Sequence, residues 1–173
     1  WPVVIAFSAW HFALYIFDRA YDFDKDKITQ PQEAIRPNER KFWLIISIVC
    51  TAIPLVVLPA AGLSVVPYLP FIPVTFLYTF PIYKGIRAKN ITLVKNLYSA
   101  LLIWTLPLSV ILYSYSGSDL GFWAVFEQNF LGMFIYVMVG EAFWDIRDIE
   151  GDRINQVKTL PVVFGIIPTK IYL

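Results

Sequence analysis

Apolar residues run along this chain in long blocks, divided by short neutral stretches and by longer charged ones. The blocks predict membrane spans at residues 1–17, 42–60, 65–83, 97–115 and 121–144, with a sixth beginning near 169. A block of nineteen residues at about 1.5 Å rise covers roughly 28 Å, close to the hydrocarbon thickness of a bilayer. Two connectors, AAGLSV and SYSGSDLG, are short and almost uncharged, whereas 18–41, 84–96 and 145–170 are long and charged. The expected fold class is all-α, a polytopic transmembrane helical bundle, because only closed backbone hydrogen bonding survives in lipid.

Charge supports this topology. The first long connector holds Arg19, Lys25, Lys27, Arg36, Arg40 and Lys41, and the second holds Lys84, Arg87, Lys89 and Lys95. The third holds Arg147, Arg153, Lys158 and Lys170, which completes the 14 Lys and Arg of the chain. Alternating spans put all three on one side, which the positive-inside rule makes cytoplasmic. Pro54, Pro59, Pro67, Pro70, Pro73, Pro81 and Pro107 fall inside the blocks, where kinked helices are expected.

Composition excludes several classes. Hydrophobic residues make up 58% and charged residues 16%, against about 25% charged in a soluble domain. The lone Cys50 rules out an intrachain disulfide and a cysteine metal site. His11, single and inside an apolar block, reads as a packed helix residue more readily than a ligand. A net charge of +1 gives no nucleic-acid signature. The opening WPVVIAFSAW lacks the basic leader of a signal peptide. The chain is expected to form a single transmembrane helical domain over 1–173, incomplete at both ends.

Two acidic clusters follow spans on the charged side. Asp18, Asp22 and Asp26 stand at helical spacing i, i+4, i+8, with Asp24 off that face. Glu141, Asp145, Asp148 and Asp152 stand at i, i+4, i+7, i+11, with Glu150 off the face. Arg147 and Arg153 lie off the second stripe and are not expected to neutralise it. Like charges stacked on one face repel one another, and carboxylates beside hydrocarbon are costly. Cations between them would resolve both problems, and carboxylate oxygens with water and phosphate suit Mg²⁺. Arg19, Lys25, Lys84, Arg87 and Lys95 could hold a phosphate group on the same side. The competing reading is a solvated juxtamembrane rim. Two loops with face spacing on one side weigh against it.

At these residues the chain resembles the UbiA superfamily of intramembrane prenyltransferases. The second stretch, EAFWDIRDIEGDRINQVKTLPVVFG, is similar to the family's E-x-x-x-D-x-x-D-x-x-G-D followed by T-L-P. The first, DRAYDFDKD, resembles N-D-x-x-D-x-x-x-D, with Asp18 where Asn is usual and Arg19 where Asp is common. YTFPIYK, from Tyr78 to Lys84, resembles Y-S-x-P-x-x-K, with Asn96 and Arg36-Pro37 as further matches. The likeness runs from the family's second span to about its seventh.

The resemblance implies Mg²⁺-dependent transfer of a prenyl group from a prenyl diphosphate to an aromatic or other lipophilic acceptor within the membrane. It makes Asp22, Asp26, Asp145, Asp148 and Asp152 the catalytic metal-binding set, with Asp18 as a further oxygen donor to metal. It places Asp18, Arg36, Tyr78, Lys84, Lys95, Asn96, Glu141 and Lys158 on the substrate. Two readings from other classes stand beside it. One is a non-catalytic membrane protein binding divalent cations or prenyl and lipid phosphates, which Arg19 in an acidic motif favours. The other is a transporter, for which only His11 and Glu127 are intramembrane candidates.

Overall fold

The computed structural model describes residues 1–29, 31, 34–81, 87–115, 119, 121–154 and 157–172, leaving out the side chains of 25, 28, 29, 75, 171 and 172. The described residues form helices and turns, without strands, in two compact units, Trp1–Pro73 and Val74–Leu173.

The first unit is built on a long hairpin. Helix α1 spans Pro2–Tyr21, α2 spans Phe23–Thr29 and α3 spans Arg40–Ala60. Arg40 Nε donates to the Ala20 carbonyl at 3.0 Å, and Ser47 Oγ donates to the Ala13 carbonyl at 2.8 Å. Moving seven residues along each chain in opposite directions fixes the two helices as antiparallel. The same register sets Ala6 against Pro54, and both are buried. Alanine every seventh residue lets the backbones come close, which is how helices associate where lipid removes the hydrophobic drive. Helix α3 closes with Leu63 N–H on the Leu58 carbonyl and Gly62 N–H on the Pro59 carbonyl, both at 2.9 Å. Gly62 carries the φ of 73° that this closing motif needs. A short 3₁₀ turn, Val66–Tyr68, then brings the buried Tyr68 edge-on to Trp10, with centroids 6.1 Å apart.

Helix α4, Phe71–Thr79, runs from the first unit into the second. The block expected to span at 65–83 is therefore a 3₁₀ turn and a nine-residue helix within its described part. Pro67, Pro70 and Pro73 remove amide donors at three-residue intervals, which a single continuous helix does not tolerate. Nine residues rise about 14 Å, and residues 82 and 83 of the block lie outside the described residues.

In the second unit, a 3₁₀ turn at Ala88–Asn90 precedes α5, Val94–Leu97. Helix α5 passes directly into a π-helical stretch, Tyr98–Thr105, and then into α6, Leu106–Tyr115. The next long helix repeats the arrangement, with α7 at Phe122–Asn129, π-helix at Phe130–Phe134 and α8 at Ile135–Arg147. The two π stretches pack on each other. Ala100 there meets Val137 and Met138, with Trp104, Met133 and Phe134 around them. Thr105 Oγ1 donates to the Ala100 carbonyl at 2.6 Å, five residues back, and so occupies a carbonyl of the widened turn. Short helices α9, Ile149–Ile154, α10, Leu160–Phe164, and α11, Ile166–Tyr172, complete the unit. The sixth expected span falls on α11 and is seven residues long as described.

Among the described residues, four helices are long and apolar enough to cross a membrane: Pro2–Tyr21, Arg40–Ala60, Val94–Tyr115 and Phe122–Arg147. Each reaches past the apolar block that predicted it by two to four residues at its charged end. An apolar pattern stops at the first charge, but helical hydrogen bonding does not. Asp18, Lys95, Asn96 and Asp145 are thereby held on spanning helices and not in connectors.

Candidate functional site

The second acidic stretch is carried on α8 and α9. Met138, Ala142, Asp145, Ile149 and Asp152 form the buried line of this helical pair, while Phe143, Glu150 and Arg153 face outward. Asp145 is 1% exposed, so its charge needs partners from across the unit. They come from α5. The Lys95 ammonium contacts Asp145 Oδ1, and Asn96 Nδ2 donates to Asp145 Oδ2 at 3.3 Å. One turn further into the apolar span, Ser99 Oγ donates to Glu141 Oε1 at 2.7 Å. Lys95 and Ser99 are four residues apart on one helix, and Asp145 and Glu141 are four apart on the other. Two polar rungs therefore bridge antiparallel helices. The Lys95 charge is also within electrostatic range of Glu141 and Asp152. Removing one partner of so buried a pair typically costs about 3–5 kcal/mol, since the other charge is left stranded.

The approach to α5 is held from the α9–α10 segment. Thr92 Oγ1 donates to the Lys158 carbonyl. Leu93 follows with φ 64° and ψ −38°, a conformation leucine rarely adopts. Such strain persists only where surrounding contacts enforce it.

Asp148 has a different environment. Arg147 donates Nε to its Oδ1 at 2.6 Å and Nη2 to its Oδ2 at 3.0 Å. The expectation that Arg147 leaves the acidic stripe un-neutralised is thus corrected. Helix α8 ends at Arg147, and Asp148 takes φ −94° and ψ 8°. Neighbours that diverge by about 100° on a regular helix come side by side at that break. Arg153 pairs with Glu150 at 3.4 Å, both outside the buried line.

The first acidic stretch lies in the other compact unit. Its backbone stays helical through the bend at Asp22: Asp22 N–H reaches the Asp18 carbonyl and Asp26 N–H the Asp22 carbonyl, both at 2.9 Å. Asp18, Asp22 and Asp26 therefore follow one another turn by turn. Arg19 Nη1 lies 3.3 Å from Asp26 Oδ2, with its guanidinium 5.6 Å from the Tyr15 ring. Asp24 faces solvent and lies 3.9 Å from Lys27. A cavity of about 230 Å³ opens beside Tyr15, Arg19, Glu39 and Trp43.

Of the remaining expected site residues, Tyr78 lies 5.6 Å from Tyr98, ring to ring. Arg36 is exposed and 3.8 Å from Glu39. The Lys158 side chain is exposed, while its carbonyl serves Thr92. Lys84 lies outside the described residues. The structure brings together Lys95, Asn96, Glu141 and Asp145, with Asp152 on the same buried line. Among the described residues, no three carboxylates converge closely enough to hold a metal ion as they stand. The carboxylate oxygens on this buried line are hard donors of the kind Mg²⁺ takes, and the Lys95 cation occupies one of them, on Asp145. Ser99 and Thr92 were missed from the sequence. A serine one turn beyond Lys95 inside an apolar span, matching Glu141 one turn before Asp145, was the signal for Ser99.

Long apolar helices bearing buried, cross-paired charges at their ends define an integral, multi-pass helical membrane protein. The family model of the UbiA prenyltransferase family matches residues 1–173. The chain belongs to that family, whose general chemistry is the transfer of prenyl groups. No curated protein and no solved structure matches the chain.

Proposed function

We propose that the chain is a Mg²⁺-dependent prenyltransferase that moves a prenyl group from its diphosphate to an aromatic or other lipophilic acceptor, with both acidic stretches facing the cytoplasm. The single observation that carries this reading is the buried Asp145, held by Lys95 and Asn96 at the charged end of two spanning helices. All long basic connectors fall on that side, which favours the cytoplasmic orientation.

Asp22, Asp26, Asp145, Asp148 and Asp152, with Asp18, would hold Mg²⁺. Bound there, Mg²⁺ supplies positive charge to the diphosphate oxygens. Lys84, Lys95, Arg36 and Lys158 add fixed charge, and Asn96 orients Asp145. Tyr78 would contact the substrate, and Glu141 is held by Ser99 one turn deeper. The carbon–oxygen bond to diphosphate breaks, an acceptor carbon bonds to the allylic carbon, and the acceptor loses a proton. The apolar spans exclude water from the cationic centre, which aromatic faces such as Tyr98 can stabilise.

One observation favours the non-catalytic reading. Arg19 and Arg147 already pair with Asp26 and Asp148, two of the carboxylates that would hold metal. An assay with a labelled prenyl diphosphate and a panel of phenolic, quinone-precursor and lipid acceptors separates the two. The enzyme forms prenylated product with Mg²⁺ and none with chelator. Binding of the diphosphate without product across the panel is the outcome of the alternative.

A further inference from the structure

The cavity of about 230 Å³ in the first unit is lined in two levels at the charged end of the α1–α3 hairpin. Arg19 and Glu39 form the outer level. Tyr15 and Ile16 on α1 and Trp43 on α3 form the inner one, with Ile35 of the connector also on the wall. The antiparallel register sets this order. Four residues toward the charged end lead from Tyr15 to Arg19 on one helix and from Trp43 to Glu39 on the other, a step of about 6 Å. Both helices are long and apolar enough to cross a membrane, so the step falls where hydrocarbon gives way to headgroups. Charge outside, with aromatic and aliphatic surface inside, is the polarity order of a membrane lipid.

The two charges at the mouth are of opposite sign. Arg19 stands where the family commonly has Asp, so this cation is a feature of the chain itself. Its side chain is 16% exposed, and Asp26 meets its Nη1 at 3.3 Å. A guanidinium carries five N–H donors in a fork that matches phosphate, more than one such contact engages. Glu39 faces Arg36 at 3.8 Å, which is longer than a hydrogen bond, so its carboxylate can accept from a primary ammonium. The volume is below the roughly 300–1,000 Å³ of pockets for drug-sized molecules, and suits a headgroup but not a whole lipid.

We propose that this cavity binds the phosphoethanolamine headgroup of a zwitterionic phospholipid. The phosphate lies on Arg19, and the ammonium donates to Glu39 beside the Trp43 ring. The glycerol end lies against Tyr15 and Ile16 at the apolar level. The site stands apart from the diphosphate chemistry and requires no prenyl transfer.

The test is native mass spectrometry of the full chain released from detergent micelles. It is titrated with phosphatidylethanolamine, phosphatidylcholine or phosphatidylglycerol of identical acyl chains, and separately with soluble phosphoethanolamine. The first phosphatidylethanolamine binds about tenfold or more tighter than either other lipid, the scale of one charge-assisted hydrogen bond. Glu39→Gln removes that preference while the lipids still bind, and Arg19→Gln weakens all three. Equal affinity of the unaltered protein for the three lipids overturns the proposal without any variant. Undiminished phosphatidylethanolamine preference in Glu39→Gln, an exposed change that leaves the hairpin packing alone, also overturns it. Soluble phosphoethanolamine binding as tightly as the lipid overturns the assignment to a membrane lipid.

Discussion

Ser99 Oγ donates to Glu141 Oε1 at 2.7 Å, one helical turn deeper than the contact between Lys95 and Asp145. The rung is measurable as a coupling. Ser99→Ala and Glu141→Ala are each expected to lower stability, and the double variant to lose about 1 kcal/mol less than their sum. Thermal unfolding in one detergent gives the cycle. Strict additivity would show that the two residues do not support each other.

Lys95→Met leaves a carboxylate that is 1% exposed without its cation. We expect a loss of about 3 kcal/mol or more in metal-free protein. Adding Asp145→Asn to it should restore much of that loss, because the stranded charge is then gone. A double variant as unstable as Lys95→Met would mean that packing, and not charge, holds the two helices here.

The α1–α3 hairpin gives a third expectation. Ala13 faces the helix that carries Ser47, whose hydroxyl donates to its carbonyl, whereas Phe12 beside it is exposed. Ala13→Leu should cost about 1–3 kcal/mol by forcing close backbones apart. Phe12→Leu should be nearly neutral. Equal effects at the two positions in an unfolding assay would contradict the register.

Two left-handed positions should respond with opposite signs. Gly62 has φ 73° at the close of α3, so Gly62→Ala is expected to cost about 1 kcal/mol. Leu93 has φ 64°, so Leu93→Gly relieves strain and should hold or raise the midpoint of unfolding. A clear fall for Leu93→Gly would show that its side chain matters more than its backbone.

Much of this architecture was legible as pattern. Length and hydropathy located four of the spanning helices, and i, i+4 spacing identified the faces carrying Asp18, Asp22 and Asp26 and carrying Asp145 and Asp152. Asp24 and Glu150 stand off those faces, as spacing alone implies. The π-helical turns left no trace in the sequence, because a single widened turn changes the helical phase without changing composition. The break at Asp148, which brings Arg147 onto it, was invisible for the same reason. The block at 65–83 hid the break between its 3₁₀ turn and its helix, because an apolar run reports solvent preference, and its prolines decide whether one helix can carry it. The partners of Asp145 come from residues some fifty positions away. Spacing finds a face, and only packing finds what covers it.

The central claim is that the buried pair of Lys95 and Asp145 is the charged centre of a prenyl diphosphate site. Its most direct measurement is diphosphate release from a prenyl diphosphate by the unaltered chain and by Asp145→Asn, each with saturating Mg²⁺ and with proper folding confirmed. We expect Mg²⁺-dependent release by the unaltered chain and its loss by at least about two orders of magnitude in Asp145→Asn, the scale of removing one charge-stabilising group. Release by Asp145→Asn at the unaltered rate would contradict it.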